Sequence, residues 1–595
     1  MRGRRIALGI NCAHDASATL CDGGGILASI AEERLNRIKH YCGFPSLAVR
    51  AVLDYCGLTI DDVDIVAFSS QFGVLPQHED SLVVGLDARA RVPSAENMAF
   101  QPDAADPVGS VERRLGEIWA GFGERHPYAR VEEMAELGFF RRHLRHYHVH
   151  HHLSHAASAF LLSGLEDACV LTVDGKGDKA SATIYRGTPG GALTMLRSSA
   201  SRDSLGCFYQ AVTEALGFVP IDSEYKTMGL AALDAQGEGP NAFDGVVSCR
   251  DGVFSAADKW QFRCYNRANP QRRLPNPMNS VVQSLAYGEL LQRMTPVVVA
   301  GEAQRHFEDN MLAFVRDAMA ISGCRSLAAA GGGFLNVKAN RRILDTLRPD
   351  HFFVFPDAAD SGNAAGAALM ALQLEGALES PLRLPMPYFG NDFTADRVEH
   401  LLMQSSDIEV SPAGPEDIAQ ALTRGEVIGT FQGRMEAGPR ALGNRSVLAD
   451  PRHASVKDRI NGLLKGRDPF VPFAPIVMEE EASRHWAGPT DYRYMTFAVE
   501  ASQYARETVP AVVHVDGSMR PQVMGERDNP LLHALLGAFR GLTGVGVVLN
   551  TSFNRHGLPI VGSPEDALDH LRQGWVDSLW IGPWRVVRGG GATPG

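Results

Sequence analysis

Seven of the 20 histidines of this chain fall within RRHLRHYHVHHHLSHAASAF, residues 141–160. Among them His151 and His155 stand four apart at the head of HLSHAASAFLL, an alanine- and serine-rich stretch that predicts a helix. Positions i and i+4 share a helix face, so both imidazoles can reach one cation. Two histidines do not close a metal site. Oxygen ligands are on offer from Asp174 in VDGKGD and from Asp360 in PDAADSGNAAGAA, where small residues let backbone come close. Two imidazoles plus carboxylates with open positions suit Fe(II), Mn(II) or Zn(II). The HxxxH pair alone is explained equally well as a polar helix face. His143, His146, His148, His150 and His152 read as pointing to solvent or pairing locally.

A second concentration of chemistry lies beyond residue 430. QGRMEAGPRALGNRS sets Arg434, Arg440 and Arg445 among glycines directly after a strand, with Asn444 and Ser446 beside them. Lys465 and Arg467 follow, then Arg520 in HVDGSMRPQ, then Asn550, Thr551, Ser552, Asn554 and Arg555 in NTSFNR. Cations interleaved with glycines and hydroxyls in an acidic protein point to a pocket for a compact anion such as phosphate or pyrophosphate. Surface ion pairs explain any single arginine equally well, but not four such segments together. Near the start, His14-Asp15 lies in a turn, where it can donate to a phosphate, act as base for an alcohol, or stabilise the turn. AEERLNRIKH (31–40) and EYKTMGL (224–230) are charge-dense and read either as solvated helix faces or as substrate-facing ones.

These groups need a scaffold, and the sequence supplies a repeated one. Residues 5–31 read as strand, polar turn, strand, glycine turn, strand, and residues 168–196 repeat the series. Each copy carries Ala-Ser-Ala-Thr just after an acidic turn, at 16–19 and 180–183, and Lys176 sits in the second turn. A duplicated tight turn whose backbone N–H groups face a phosphate is how actin-like and sugar-kinase-like folds hold ATP; two unrelated hairpins are the alternative. A third turn supports the nucleotide reading. The strand 325–330 runs into Gly331-Gly332-Gly333 and Asn336, then a helix over 337–347, whose N-terminus favours negative charge. The GxxxxGK[ST] phosphate loop is absent from the sequence.

Proline-rich composition near 374–391 marks a connection, set at 379–391, between a first domain (1–378) and a second α/β domain (392–588). In the second, helices are expected at 411–424 and 564–572 and strands at 427–431 and 544–549.

Composition narrows the rest. The chain has 595 residues, 57 Lys and Arg against 69 Asp and Glu, and a net charge of −12, the wrong sign for a general phosphate-neutralising nucleic-acid surface. With 45% hydrophobic and 21% charged residues it is neither disordered nor fibrous, and no run of about 18 apolar residues marks a membrane span. Nine cysteines without a CxxC pair suit unpaired thiols in a reducing compartment, the cytoplasm.

GINCAHDASATL, AEERLNRIKH, HHLSHAASAF, VDGKGD, EYKTMGLA, GGGFLNVKAN, DSGNAAGAA, QGRMEAGPRALGNRSVLADPR, HVDGSMRPQ and NTSFNRHGLPIV together resemble the ATP-dependent O-carbamoyltransferases of antibiotic biosynthesis and nodulation-factor modification. The resemblance covers nearly the whole chain in order. It implies an α/β protein with an actin-like (ASKHA-type) N-terminal domain, related to threonylcarbamoyl transferases, and a YrdC-like C-terminal domain. It implies that carbamoyl phosphate and ATP, with Mg²⁺, give carbamoyl adenylate, whose carbamoyl group passes to a hydroxyl of a small natural product. Carried over residue by residue, His151, His155, Asp174 and Asp360 hold Fe²⁺ or another first-row divalent ion. Lys465 and Arg520 are catalytic, and Arg440, Asn444, Arg445, Ser446, Arg467, Asn550, Thr551, Ser552, Asn554 and Arg555 bind phosphates. Lys176, Gly331, Gly332, Gly333 and Asn336 cradle nucleotide, and His14 with Asp15 serves as base. No nucleic acid or membrane partner is implied; a homodimer is compatible. One departure stands out: the family usually has Arg before PFAP, where this chain has Val471. Losing one charge-assisted hydrogen bond costs about 1.5–3 kcal/mol, so either a neighbouring arginine substitutes or the adenylate-forming half is weak. Two alternatives are a tRNA threonylcarbamoyladenosine-type factor and a non-catalytic nucleotide-binding partner.

Overall fold

Alternating apolar residues and tight polar turns make the first hairpin series: β1 (Ala7–Asn11), β2 (Ser17–Asp22) and β3 (Gly25–Ala31). β4 (Ile65–Phe68) and β6 (Arg145–Val149) add parallel to β1, and β5 (Val83–Asp87) closes the edge antiparallel to β6, giving the order β3-β2-β1-β4-β6-β5. The second series repeats this plan. β7 (Ala168–Gly177), β8 (Ala180–Thr188) and β9 (Ala192–Ala200) form an antiparallel set, and strands Ser326–Ala330 and His351–Val354 add parallel to β7. This duplicated arrangement is the actin-like architecture expected from the repeated hairpins. The computed structural model describes residues 4–70, 83–87, 131–139, 141, 143–234, 241–267, 278–281, 283–378, 381–466 and 468–589.

Two helices lie between the sheets: His151–Leu161, which follows β6, and Asn363–Leu374, which follows the strand His351–Val354. Every residue of the first is buried, so its small side chains are a packing requirement as well as a helical preference. A Cβ at Gly366 would come within 1.8 Å of the Ser154 carbonyl oxygen, and one at Gly9 within 1.8 Å of that of Ala364. Glycine therefore permits helix-on-helix and helix-on-strand contact at backbone distance, which brings the two helix N-termini together.

The C-terminal region is an α/β unit on one eight-stranded mixed sheet. Its strands run spatially as 408–412, 584–588, 578–581, 428–431, 446–449, 547–552, 474–478 and 522–524. The helix expected from 411 begins only at Pro415, because Ile408–Pro412 pairs with the strand Trp584–Arg588. Asp417 accepts from the Gly414 N–H at 2.9 Å and so fixes the helix start. The strand expected at 544–549 is Val547–Ser552, since Gly544 (φ +78°) terminates the preceding helix. The connecting segment is packed, with Leu384, Met386 and Phe389 buried. The eight cysteines whose side chains are described are thiols outside any disulfide, and among the described residues no helix is long and apolar enough to cross a membrane.

Candidate functional site

The two halves meet around a cavity of about 500 Å³. The N-terminal side contributes His14, Asp15, Lys39, Asp174, Lys176, Gly332, Gly333, Asn336 and Asp360; the C-terminal side contributes Arg440, Lys465, Arg520, Asn550, Thr551, Ser552 and Asn554. Charged residues strap one half to the other at its rim. Arg34 donates to the Gly438 carbonyl at 2.9 Å, and Arg37 donates to those of Ile560 (2.6 Å) and Pro559 (2.9 Å).

At the meeting of the two buried helices, His151 Nε2 and His155 Nε2 stand 3.2 Å apart. Asp360 Oδ1 is 3.4 Å from each of them, and Asp174 Oδ2 is 3.3 Å from His151. The four ligand atoms lie within 4.8 Å of one another. Ligands about 2.1 Å from one ion sit roughly 3.0–3.4 Å apart, so this spacing fits a first-row divalent cation at their centre. The residues also fit in type, two imidazoles and two carboxylates. The surroundings hold the carboxylates in place: the Gly332 N–H donates to Asp174 Oδ1 at 3.0 Å. Burial disfavours charge on Asp360, yet His151 and His155 hold its carboxyl well below the usual range; Asp360 and Asp174 in turn hold His151 well above its own. Next to them His152 is buried and bonded to Thr172 (2.7 Å), kept neutral by burial and by its histidine neighbours. His146 and His148 are likewise buried, which corrects the solvent-facing half of the expectation: helix and strand here are interior on all sides.

A second histidine–carboxylate group lines the same cavity. His14 Nδ1 is 2.9 Å from Asp15 Oδ2, His40 Nδ1 is 2.7 Å from Asp15 Oδ1, and His40 Nε2 is 2.8 Å from Asp222 Oδ1. His14 Nε2 has no hydrogen-bond partner among the described residues.

The glycine turn works as expected of a close-approach element. Gly331 has φ +97°, and a Cβ there would meet the Val173 carbonyl oxygen at 2.4 Å. Asn336 caps the following helix by accepting from the Ala339 N–H at 3.1 Å. Lys176 projects from the end of β7 as an exposed side chain.

On the C-terminal side the expected arginines separate. Arg440 lines the cavity and has no hydrogen bond or ion pair among the described residues; burial lowers its pKa to about 10. Arg445 is fully buried away from the cavity. It donates to the carbonyls of Gln432 (2.7 Å), Gly433 (3.0 Å) and Asn444 (3.1 Å) and stacks 3.7 Å above the Phe431 ring. Asn444 donates to the Arg434 carbonyl at 2.8 Å, and Ser446 accepts from the Gly443 N–H at 2.9 Å. These three residues, expected to bind phosphate, instead fold the loop. Glu436 does the same from the other end, accepting from the N–H groups of Leu442 (2.7 Å), Asn444 (2.8 Å) and Arg445 (3.1 Å). Lys465 lines the cavity, but its ammonium donates to Ser552 O (2.6 Å), Ser552 Oγ (3.0 Å), Asn554 O (3.0 Å) and Asn554 Oδ1 (2.9 Å), so it shapes the 550–554 loop. Arg555 stacks on Trp575, its guanidinium 4.9 Å from the ring, outside the cavity lining; Arg467 lies outside the described residues.

Sequence reasoning did not single out Glu33, Arg34, Lys39, His40, Asp222, Glu224 and Tyr225 as site residues, although all line the cavity. Except for Asp222, their signal was present as the charge-dense stretches 31–40 and 224–230, several of whose side chains line the cavity.

Residues 6–369 match the family model "Carbamoyltransferase N-terminus" and residues 419–588 match "Carbamoyltransferase C-terminus". Nodulation protein NolNO of Sinorhizobium fredii is 33% identical over 592 residues, covering 97% of this chain and 79% of that protein. Nodulation protein NolO of Bradyrhizobium diazoefficiens is 34% identical over 446 residues, 74% of this chain and 78% of that protein. Among solved structures, full-length HypF in its phosphate- and nucleotide-bound form aligns with a TM-score of 0.28 at 12% identity, over 63% of this chain and 56% of that one.

Proposed function

The chain belongs to the carbamoyltransferase family, and from that premise we propose that it carries out an ATP-dependent O-carbamoylation in two steps within one chamber. Carbamoyl phosphate and ATP, with Mg²⁺, give carbamoyl adenylate on the C-terminal side, and the carbamoyl group then passes on the N-terminal side to a hydroxyl of a small molecule. In this reading residues 392–588 act as the adenylate-forming domain, 1–378 as the transfer domain and 379–391 as their connection. The observation that carries it is the single cavity of about 500 Å³, lined by Arg440, Arg520 and the 550–554 loop on one side and by His14, Asp174 and Gly332 on the other. A mixed anhydride made there reaches its acceptor without crossing bulk water.

Each step uses groups already described. Arg440 and Arg520 put positive charge against the phosphate oxygens of carbamoyl phosphate and ATP, and they stand in the same lining as Val471, which supplies none. Gly332 and Gly333, lacking Cβ atoms, let the nucleotide phosphates come close to backbone before the N-terminus of the helix Val337–Leu347, although the Gly331 and Gly332 N–H groups are already donated to Ala358 O and Asp174 Oδ1. A divalent cation held by His151, His155, Asp174 and Asp360 supplies, when bound, positive charge that favours departure of a phosphate leaving group. For the transfer, His14 Nε2 accepts the proton of the acceptor hydroxyl as that oxygen bonds to the carbamoyl carbon. The bond from this carbon to the phosphate oxygen breaks, and AMP leaves with the electron pair. Of the four groups in this corner, only His14 has an uncommitted nitrogen, since both ring nitrogens of His40 are bonded and both carboxylates are ion-paired.

The test is to incubate the protein with ATP, carbamoyl phosphate, Mg²⁺ and a panel of hydroxyl compounds. Pyrophosphate release that depends on carbamoyl phosphate, and a mass gain of one carbamoyl group on one compound, are expected. Absence of both overturns the reading.

A further inference from the structure

Asp15 and His40 are two of four non-glycine residues at the cavity in left-handed backbone, with Ile221 and Met495, and each has φ of +53°. Such conformations are sparsely populated for residues with a side chain and persist where surrounding contacts over-determine them. Here the two side chains meet, His40 Nδ1 on Asp15 Oδ1 at 2.7 Å. The loop that carries His40 is fixed from behind, its own N–H donating to Glu33 Oε2 at 2.8 Å. Its far nitrogen, Nε2, lies 2.8 Å from Asp222 Oδ1, a carboxylate that also pairs with Lys39.

Hydrogen-bond counting sets the charge of His40. A neutral imidazole has one N–H, yet both ring nitrogens face ionised carboxylates, which only accept. The ring must carry two protons and a positive charge. The environment agrees: burial opposes the charge, but Asp15 and Asp222 raise the His40 pKa to about 10, while both carboxyls are held well below their usual range. The His14 ring stacks on this imidazolium, centroids 5.1 Å apart and planes at 21°.

We propose that His40 is a positioning residue of the transfer site: it pins the Asp15 carboxylate, so that Asp15 holds the Nδ1–H of His14 and leaves the Nε2 lone pair for the acceptor proton. The proposal rests on the reading of His14 as base. Asp15 alone, on one short turn, has two oxygens and freedom to rotate; with Oδ1 committed to His40, only Oδ2 remains for His14, at 2.9 Å. The relay then runs Lys39, Asp222, His40, Asp15, His14. It orients one histidine through another across carboxylates, and no proton need pass beyond His14.

Two variants of full-length protein separate positioning from mere packing. In His40→Asn the amide nitrogen stands near the Nδ1 position and keeps the bond to Asp15; in His40→Gln it stands near Nε2 and keeps the bond to Asp222 instead. The first readout needs no substrate: ring ¹⁵N shifts of histidine-labelled protein report the His14 tautomer. A single Nδ1–H tautomer is expected in wild type and His40→Asn, and a mixture of tautomers in His40→Gln. The second readout is AMP release with water as acceptor, beside the burst of pyrophosphate release. AMP release is expected to stay within about threefold of wild type in His40→Asn and to fall about tenfold or more in His40→Gln, with the pyrophosphate burst unchanged in both. A single His14 tautomer in His40→Gln, or equal AMP release by the two variants, overturns the proposal. The underlying reading fails separately, if His14→Gln releases AMP as fast as wild type.

Discussion

Two histidine–carboxylate clusters line or adjoin one cavity and are built from the same residue types, yet they are different devices. In the group of His151, His155, Asp174 and Asp360 neighbouring ligand atoms stand 3.2–3.4 Å apart and all four lie within 4.8 Å of one another. In the group of His14, Asp15, His40 and Asp222 the polar atoms stand 2.7–2.9 Å apart and are consumed pairwise by hydrogen bonds. The first geometry leaves room for an ion among its lone pairs. The second also gathers His14, Asp15 and His40 ligand atoms within 4.8 Å of one another, but it spends them on hydrogen bonds and ends in one uncommitted nitrogen, His14 Nε2. In the proposed reading a few tenths of an ångström separate a cation site from a proton-handling chain, because a shared proton draws heavy atoms closer than two bonds to one metal ion do.

Metal stoichiometry is the sharpest way to break that comparison. Elemental analysis of the full-length protein should find one first-row divalent ion per chain. His155→Ala should lose it, with an affinity drop beyond the about 10–100-fold seen when only an outer partner of a metal ligand is removed. His40→Asn should keep it. Two ions per chain, or loss of the ion in His40→Asn, would erase the distinction between the clusters.

A second variant strains one cluster and spares the other. The helix His151–Leu161, which carries His151 and His155, crosses the helix Asn363–Leu374 at Gly366, where an added Cβ would stand 1.8 Å from the Ser154 carbonyl oxygen. The atoms met are backbone atoms of Ser154, so neither helix can yield locally. Gly366→Ala should cost about 1–3 kcal/mol of stability and weaken ion binding, because His151 and His155 ride on one helix and Asp360 precedes the other. The His14 tautomer should be unchanged, since His14, His40 and Asp222 are on neither helix. Thermal unfolding and ion titration measure the two effects together.

The same contrast explains what was legible in the sequence. The hairpin repeat, the glycine turn at 331–333 and the alanine-rich helix were readable because turn chemistry and packing against backbone leave local residue signatures. The His151/His155 pair was readable because four residues make one helix turn. His40 and Asp222 are 182 positions apart and meet only through the tertiary fold, so no spacing rule joins them. Arg440 and Arg445 show the opposite failure. Both are arginines among glycines, but Arg445 spends its donors on backbone carbonyls of its own loop, whereas Arg440 faces the cavity. Composition alone does not distinguish a cation that folds a loop from one that meets a ligand. Glu436, which gathers three backbone N–H groups, was the sign that this loop has an internal scaffold.

The smallest effect, and the one most specific to the closed cluster, is its pH dependence. His40 has a pKa of about 10 in the folded protein, raised by Asp15 and Asp222 against the opposing effect of burial, compared with about 6.5 unfolded. A group whose folded pKa is raised stabilises the fold fully below its unfolded pKa, and that contribution fades as pH climbs toward the folded value. Asp357, raised by burial to about 7, acts earlier on the scale, its effect developing as pH rises from about 4 to 7. Subtracting His40→Asn from wild type isolates the histidine, since Asp357 is common to both. The stability difference, read from denaturant midpoints, should be largest near pH 6 and shrink steadily toward pH 10. The partners facing His40 set this window: Asp15, Asp222, Lys39, Glu33, Glu224 and the stacked His14. A difference that grows with pH would mean that the ring is neutral in the folded protein, and the cluster would then lack the second proton its geometry requires.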